Sequence, residues 1–244
     1  MKKRADLLLV TRGLVENRSR AAAIILTGKV FSGERRIEKA GDLIAEDAPL
    51  DLRGQDHPWV SRGGVKLAHA LDHFAIHPQD HICLDIGAST GGFTDVLLSR
   101  GAAKVYAVDV GHGQLAWKLR QDSRVTVLDR VNARHLSRAD IPEAPALIVC
   151  DASFIGLATV LAAPLSLAAP AAELVALIKP QFEVGREGVG KGGIVRDAAL
   201  RDDACRQVGQ WLAGQPGWRV LGIIESPITG AEGNVEFLIA GRRS

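Results

Sequence analysis

Apolar and polar positions along most of the chain follow a pattern that predicts strands and helices in turn. Short apolar runs predict strands at 82–86, 104–108, 125–128, 146–150, 173–178, 219–225 and 235–240. Apolar residues at helical spacing predict helices at 92–100, 113–120, 154–163 and 197–213. This alternation predicts an α/β fold on a largely parallel sheet, and the last two runs predict one antiparallel strand at its end.

The first part of the chain has shorter predicted elements. They are a helix from Arg4 to Arg12 that ends at Gly13, a helix through Leu26 capped by Asn17 or Ser19, a strand at 29–31 and a β segment around 42–44. Residues 53–58 are polar and rich in turn formers, which predicts a linker. A helix from Val65 to Phe74 follows, with Lys66 in its first turn. The pattern therefore predicts a small module, residues 1–57, and a larger domain, residues 58–244.

One apolar stretch, residues 156–178, has the length of a membrane span. Pro164, Pro170 and Glu173 interrupt it. A helix, a turn and a buried strand explain the stretch better than a span, because proline and a charged residue are unfavourable inside one.

Charge is distributed unevenly over the 244 residues. Residues 1–40 carry a net charge of +6 and the remainder carries −4, which predicts a polyanionic partner for the first module. The balance of 47% apolar and 24% charged residues is typical of a soluble globular protein. Three cysteines, and no apolar signal segment after Met1, predict reduced thiols and a cytoplasmic location without membrane attachment.

The stretch Asp85–Phe93 carries the clearest chemical signal. It joins the first predicted strand of the larger domain to a helix, and its glycines allow the backbone to approach a ligand. Three residues separate Gly87 from Gly91, so the spacing is not that of the dinucleotide fingerprint. Asp109 ends the next strand, where a carboxylate can accept hydrogen bonds from both ribose hydroxyls of an adenosine. The sequence therefore predicts an adenosyl ligand without a pyrophosphate, and S-adenosylmethionine fits that description. The candidate cofactor-binding residues are Asp85, Gly87, Ser89, Thr90, Gly91, Gly92, Phe93, Asp109 and Asp129.

A second glycine-rich stretch, Gly185–Gly192, approaches the phosphate-loop pattern. Gly192 stands where that pattern requires Ser or Thr, and residues 193–196 separate the stretch from the next helix. Two interpretations stay open: a mobile loop over the substrate, or a plain connector.

The first module resembles the S4 RNA-binding module over about residues 3–52. The resemblance lies in Arg4 and Asp6, Gly13–Val15, Ser19, Arg20 and Ala22, Ile25, Gly28 and Val30. It implies RNA-facing side chains at Arg4, Arg18, Arg20, Lys29 and Arg35, and we add Arg62 near the start of the larger domain. A solvated helical face is the alternative for any single arginine, whereas a cluster of cations favours phosphate contacts.

Charged residues follow several predicted strands: Asp85, Asp109, Asp129, Asp151 and Lys179. Such strand ends meet at one edge of a parallel sheet, where ligands bind. For one residue alone, an ordinary cap is the simpler explanation. Their convergence beside a nucleotide turn favours a functional site.

Six motifs of the chain resemble the TlyA (haemolysin A) family: Asp85–Phe93, Val108–Leu115, Cys150–Ile155, Lys179–Glu183, Ser226–Gly230 and Gly233–Phe237. The resemblance spans essentially the whole chain. It implies an S4 module joined to an FtsJ-like, Rossmann-like methyltransferase domain that methylates the 2′-hydroxyl of cytidine in ribosomal RNA within a ribosomal subunit. It also implies a catalytic tetrad of Lys66, Asp151, Lys179 and Glu236. Shorter family members resemble the subgroup that modifies large-subunit RNA alone, which is the expectation here.

The implied tetrad is chemically reasonable for this reaction. A ribose hydroxyl becomes a good nucleophile when its proton is removed, and a sulfonium methyl is already electrophilic. Lys179 is the candidate base, and Lys66 is expected to position the substrate. Asp151 is expected to orient Lys179, and Glu236 to anchor the lysines. No Cys/His cluster with metal-ligand spacing is present in the sequence, and no obligate protein partner is predicted.

Other chemistries match the sequence less well. The motif Asp151–Phe154 lacks the double proline of amino-methylating enzymes, and strand alternation places the thiol of Cys150 opposite Asp151, away from a pyrimidine. An NAD-dependent oxidoreductase is disfavoured by the glycine spacing. The remaining alternative is a non-catalytic RNA-binding or ribosome-assembly factor with a relic cofactor pocket, against which the intact tetrad argues.

Overall fold

The computed structural model describes residues 2–12, 14–15, 17–52, 57–230 and 233–244. Its contacts divide the chain into two compact units. One comprises Met1–Pro58 with Ala116–Asp122, and the other comprises Trp59–Leu115 and Ser123–Ser244. The predicted helix-ending Gly13 and residues 53–56 of the predicted linker lie outside the described part.

The first unit is a small α+β assembly. Its elements are β1 (Lys2–Arg4), α1 (Ala5–Thr11), α2 (Arg18–Leu26), β2 (Val30–Ser32), β3 (Arg35–Arg36), β4 (Leu43–Ala45) and β5 (Asp51–Leu52). The side chain of Asn17 caps α2, because it accepts a hydrogen bond from the backbone N–H of Arg20 at 2.9 Å. Leu8, Leu9 and Ile25 are buried in a core that also includes Val30 and Ile37.

The second unit, with one short helix from the first, continues the element order. These elements are α3 (Gly63–Phe74), β6 (Ile82–Ile86), α4 (Gly92–Ser99), β7 (Lys104–Asp109), α5 (Trp117–Arg120), β8 (Val125–Asp129), β9 (Leu147–Cys150), α6 (Leu157–Leu167), β10 (Glu173–Ile178), α7 (Pro180–Glu183), α8 (Ala198–Ala213), β11 (Trp218–Glu225) and β12 (Phe237–Arg243). The seven predicted strands are confirmed with small shifts of their ends.

A seven-stranded sheet has the order β11-β12-β10-β9-β6-β7-β8. Strands β10, β9, β6, β7 and β8 pair in parallel, whereas β12 is antiparallel to both of its neighbours. The prediction of a parallel sheet with one antiparallel strand is therefore confirmed. Because the chain passes from β6 to β7 on one side and β9 lies on the other, the strand order reverses at β6, where sheets of this kind bind ligands.

Two predicted helices differ from the structure. The predicted helix at 113–120 is reduced to α5, since Gly113 has a φ of +67° and its N–H donates to Asp129. The predicted helix at 154–163 begins three residues later, because Phe154 has a φ of +65° that no right-handed helix allows. That helix, α6, then continues through the buried Pro164 to Leu167.

The apolar stretch 156–178 folds as α6, a turn and the buried strand β10, as predicted. Among the described residues, every helix is too short or too polar to cross a bilayer.

Candidate active site

The backbone of the turn between β6 and α4 lies close to the backbone of the segment that follows β9. Gly87 has a φ of +77°, and a β-carbon built on it would lie 3.0 Å from the backbone nitrogen of Ala152. Gly91, with a φ of +98°, is the N-cap of α4 and has no side chain that could cap the helix. A side chain at Gly87 would be strained and crowded, so glycine lets the turn pack against the segment after β9.

Asp85 supports this turn from beneath. Its carboxylate is fully buried and accepts a hydrogen bond from the Thr94 hydroxyl at 2.6 Å. Burial raises the pKa of Asp85 to about 7, the charges of Asp151 and Asp109 add to the shift, and the Thr94 hydrogen bond opposes it. The carboxylate borders neither cavity described below. Its predicted direct contact with the cofactor therefore has no support in the geometry, which places Asp85 as a support for the turn.

Asp109 borders a cavity of about 590 Å³ at the carboxyl ends of the strands. Its two carboxylate oxygens accept hydrogen bonds from the backbone N–H groups of Ser89 at 2.8 Å and Gly111 at 2.7 Å. Each oxygen keeps a second lone pair, so the carboxylate is oriented and can still accept ribose hydroxyls. The exposed Val110 also lines this cavity and offers an apolar surface to a base. These groups fit the adenosyl part of S-adenosylmethionine.

The other predicted cofactor residues divide into two groups. Gly87 and Ser89 line both cavities, and Thr90, Gly92 and Phe93 line a second cavity of about 310 Å³. In the described part of the chain, Gly91 and Asp129 border neither cavity. The carboxylate of Asp129 instead lies 3.2 Å from Nδ1 of His112 and accepts the N–H of Gly113.

The four residues of the implied tetrad form two ion pairs at the smaller cavity. Lys66 Nζ lies 2.5 Å from Oε2 of Glu236, and Lys179 Nζ lies 2.7 Å from Oδ1 of Asp151. Lys66, Asp151 and Lys179 line that cavity, while both lysines and Glu236 are buried. Four residues from separate segments thus converge, although Glu236 pairs with Lys66 and not with both lysines.

Ser153 is a contact residue that the sequence did not indicate. Its hydroxyl accepts a hydrogen bond from Lys179 Nζ at 2.8 Å, and the carbonyl of Asp151 accepts a longer one at 3.3 Å. The ion pair of Lys179 with the Asp151 carboxylate falls short of hydrogen-bond alignment. Asp151 and Ser153 line both cavities, which places Lys179 where the two cavities meet.

Gly230 and Asn234 are two further residues that sequence reasoning missed. A β-carbon built on Gly230 would lie 1.9 Å from Oε1 of Glu236, so glycine leaves the space that this carboxylate fills. The buried side chain of Asn234 accepts from the N–H of Val195 and donates to the carbonyl of Gly193. These two hydrogen bonds connect the residues that follow the glycine-rich stretch 185–192 to the residues that precede β12. Their proximity to Glu236 in the sequence was the available signal.

Cys150 is fully buried, and this burial raises the pKa of its thiol to about 12. A thiol in this state is a poor nucleophile, because the thiolate is the reactive form. The geometry therefore disfavours carbon-5 pyrimidine methylation through Cys150.

The predicted RNA-facing cations are on the surface of the described residues. Arg4 and Arg18 both pair with the buried Asp6, at 3.0 and 2.8 Å, while their side chains stay substantially exposed. Arg20, Lys29 and Arg35 are exposed as well. Arg62, also exposed, lines the smaller cavity of the second unit.

Similarity to known proteins agrees with this geometry. Residues 59–243 match the FtsJ-like methyltransferase family. A Mycobacterium tuberculosis protein named 16S/23S rRNA (cytidine-2′-O)-methyltransferase TlyA is 48% identical over 97% of this chain and 88% of its own length. Hemolysin A of Brachyspira hyodysenteriae is 41% identical over 96% of this chain and 98% of its own length. A solved structure from Streptococcus thermophilus, provisionally named a hemolysin, matches with a TM-score of 0.74 and 41% identity, covering 100% of this chain and 89% of that one. The chain therefore belongs to the FtsJ-like, S-adenosylmethionine-dependent methyltransferases and, among them, to the TlyA (hemolysin A) family.

Proposed function

We propose that this protein transfers a methyl group from S-adenosylmethionine to the 2′-hydroxyl of a cytidine ribose in ribosomal RNA. The observation that carries the proposal is the pair of ion pairs, Lys66–Glu236 and Lys179–Asp151, at a cavity that shares residues with the candidate adenosyl cavity. The name of the M. tuberculosis relative supports the choice of reaction and substrate.

S-adenosylmethionine, when bound, supplies an electrophilic methyl group on a sulfonium. Asp109 would accept its ribose hydroxyls, with a carboxylate that two backbone N–H groups already orient. Residues Gly87 to Phe93 would hold the remainder along the turn. Because these groups are fixed before the ligand arrives, little ordering remains to oppose binding.

Lys179 is the proposed base. Its Nζ would accept the proton of the 2′-hydroxyl, which makes the ribose oxygen nucleophilic. Asp151 and Ser153 fix the direction of Nζ through contacts of 2.7 and 2.8 Å. Asp151 and Ser153 line both cavities, which supports a proton acceptor between the candidate cofactor site and the candidate ribose site.

Lys66 is proposed to position the substrate. It lies in the first turn of α3, where a cation is unfavourable to the helix dipole, and Glu236 compensates by pairing with it. Arg62 is exposed at the same cavity and supplies a cation for an RNA phosphate.

Residues 1–57 are proposed as the S4-like module that supplies most of the RNA affinity to a catalytic domain of residues 58–244. The +6 charge of residues 1–40 supports this division of roles, and affinity for RNA should fall steeply with salt.

Transfer of label from S-adenosylmethionine to ribosomal subunits tests the proposal. The full chain should label RNA, with the 2′-hydroxyl of a cytidine as the mapped position. A chain beginning at Trp59 should bind the cofactor and label RNA poorly. Cofactor binding without label in RNA would favour a ribosome-assembly factor with a relic pocket.

Asp109→Ala tests the cofactor assignment separately. Loss of charge-assisted hydrogen bonds should weaken S-adenosylmethionine binding by roughly 1.5–3 kcal/mol. Calorimetry on a folded variant measures this change, and unchanged affinity would refute the assignment. Asp122→Ala, a change of the same kind outside both cavities, is the matched control.

A further inference from the structure

The loop that carries Asp151 and Ser153 runs from the end of β9 to the start of α6, residues 151–156. Residues 151–155 border the larger cavity, and two of them also border the smaller one. Lys179 holds the first half of this loop, through Asp151 and Ser153. The second half, residues 154–156, has no part in the proposed reaction. Because it is covalently continuous with Asp151–Ser153, its position constrains theirs.

The second half of the loop is held by Glu183, at the end of α7. Helix α6 begins after Gly156, whose lack of a side chain leaves the first N–H groups of the helix without a local cap. Oε1 of Glu183 accepts a hydrogen bond from the backbone N–H of Leu157 at 2.8 Å, and Oε2 lies 3.0 Å from the position of a β-carbon on Gly156. A carboxylate from 26 residues away thus takes the place of the missing cap.

Between these two anchors, the loop contains a strained residue. Phe154 has a φ of +65°, which costs free energy for a residue with a side chain. Its ring is 90% exposed and lies 5.1 Å from the ring of Phe182, centroid to centroid. A strained loop keeps such a conformation only when both of its ends are fixed.

We propose that Glu183 is a positioning residue for methyl transfer: it fixes the end of loop 151–156 and so keeps Asp151 and Ser153 in contact with Lys179. This inference rests on the proposed function and adds a residue to it. Lys179 and Glu183 lie at the two ends of the segment 179–183, so this one short segment holds both halves of the loop. Without the carboxylate, Phe154 can relax to an ordinary φ, and Asp151 moves with it.

Glu183 also has an electrostatic signature. Its carboxylate is partly buried, and this burial raises its pKa, whereas the hydrogen bond from the N–H of Leu157 opposes the rise. The hydrogen bond from the N–H of Leu157 depends on an oxygen acceptor at residue 183 more than on a negative charge there. Glutamine keeps that acceptor and alanine removes it, so the two substitutions separate positioning from charge.

Single-turnover methylation of ribosomal subunits at saturating S-adenosylmethionine tests the proposal on the full chain. Glu183→Ala should lower the rate by about tenfold or more, as expected when reacting groups are slightly misplaced. Glu183→Gln should stay within about threefold of the wild type, because its amide oxygen can still accept from Leu157. Gly156→Ala, which crowds the same carboxylate without removing it, should give an intermediate rate.

Asp197→Ala is the matched control. Asp197 also caps a helix through a side-chain oxygen, at the start of α8, and borders neither cavity among the described residues. Its loss should lower the melting temperature comparably and leave the rate near that of the wild type. If Glu183→Ala keeps a rate within twofold of the wild type, or if Asp197→Ala loses as much, the inference is overturned. A wild-type protein that transfers no methyl group would instead overturn the proposed function.

Discussion

The two units of this protein both contain buried carboxylates paired with cations, but the pairs differ in chemistry. In the first unit, Asp6 is buried and accepts hydrogen bonds from Arg4 and Arg18. In the second unit, Lys66 pairs with Glu236, and Lys179 pairs with Asp151. The arginine side chains are 45% and 57% exposed, whereas those of the lysines are 10% and 9% exposed.

Under the proposed function, this difference distinguishes ion pairs that stabilise the fold from ion pairs that take part in the reaction. Arginine stays charged under all physiological conditions, and its exposed guanidinium keeps much of its hydration while it fixes Asp6. Hydrogen bonds from Arg4, followed by those from Arg18, hold the pKa of Asp6 well below its usual range, although burial opposes them. A lysine, unlike an arginine, can act as a base in enzymes, and Lys179 is proposed to do so at its cavity. Four predictions test this distinction, from the largest expected effect to the smallest.

Lys179→Ala should reduce single-turnover methylation by about 10²–10⁴-fold, the usual contribution of a positioned base. Lys179→Arg should not restore the rate, because a guanidinium cannot take up a proton near neutrality. Lys66→Arg should retain part of the activity, since Lys66 is proposed to supply charge only. A near-normal methylation rate with Lys179→Arg would show that Lys179 only positions the substrate. The lysine pair would then not differ in chemistry from the pairs of Arg4 and Arg18 with Asp6.

Gly230→Ala should reduce methylation by about 10–100-fold, because its methyl group would occupy the space of the Glu236 carboxylate and displace it from Lys66. Cofactor affinity, measured by calorimetry, should change little. The control is Gly233→Ala, three residues further along the chain. Apart from its chain neighbours, a β-carbon on Gly233 would meet no atom of the described residues within 4 Å, although the φ of +84° adds backbone strain. Normal turnover in a folded Gly230→Ala protein would show that the pairing of Lys66 with Glu236 is dispensable.

Asp6→Asn should destabilise the first unit by about 1–3 kcal/mol at neutral pH, since a buried hydrogen-bonded charge is lost while two arginines lose their partner. Hydrogen exchange of the α1 amides measures this change locally. Glu46→Gln removes the exposed pair with Lys3 and should cost less than about 1 kcal/mol. Equal effects of the two substitutions would mean that burial of Asp6 adds nothing to its ion pairs.

Asp85→Asn should flatten the pH dependence of stability. The folded-state pKa of Asp85, about 7, exceeds its ordinary value of 3.8, so the protonated form stabilises the fold. That contribution is complete below about pH 3.8 and is lost as the pH rises through 7. Denaturant unfolding at pH 5 and pH 8 should therefore give a smaller difference in the variant than in the wild type. An unchanged difference would show that Asp85 does not titrate in this window.

Much of the fold could be predicted from local patterns. Apolar runs located all seven strands of the large sheet, although β1, β3 and β5 of the first unit were not predicted. The residue types also indicated the cap at Asn17 and the turn at Gly87–Gly91. The two helices that were predicted incorrectly had helical patterns in their sequence, but contacts with distant residues or a positive φ gave their first residues a different conformation. The first half of the helix predicted at 113–120 is absent, because the N–H of Gly113 donates to Asp129 and Gly113 has a positive φ.

The sequence by itself predicted the order of strands and helices in the larger domain, the glycine-rich turn after β6, the uneven charge and, through family resemblance, the four residues that are proposed as a tetrad. The tertiary structure alone decided which lysine pairs with which carboxylate, that Asp85 lies beneath the turn, that Ser153 and Gly230 line the smaller cavity, and that Glu183 caps α6. The reason is physical. Backbone conformation depends mainly on neighbouring residues, whereas the Lys66–Glu236 pair joins residues 170 positions apart. Such a contact depends on how separate segments pack together, and no spacing along the chain encodes it.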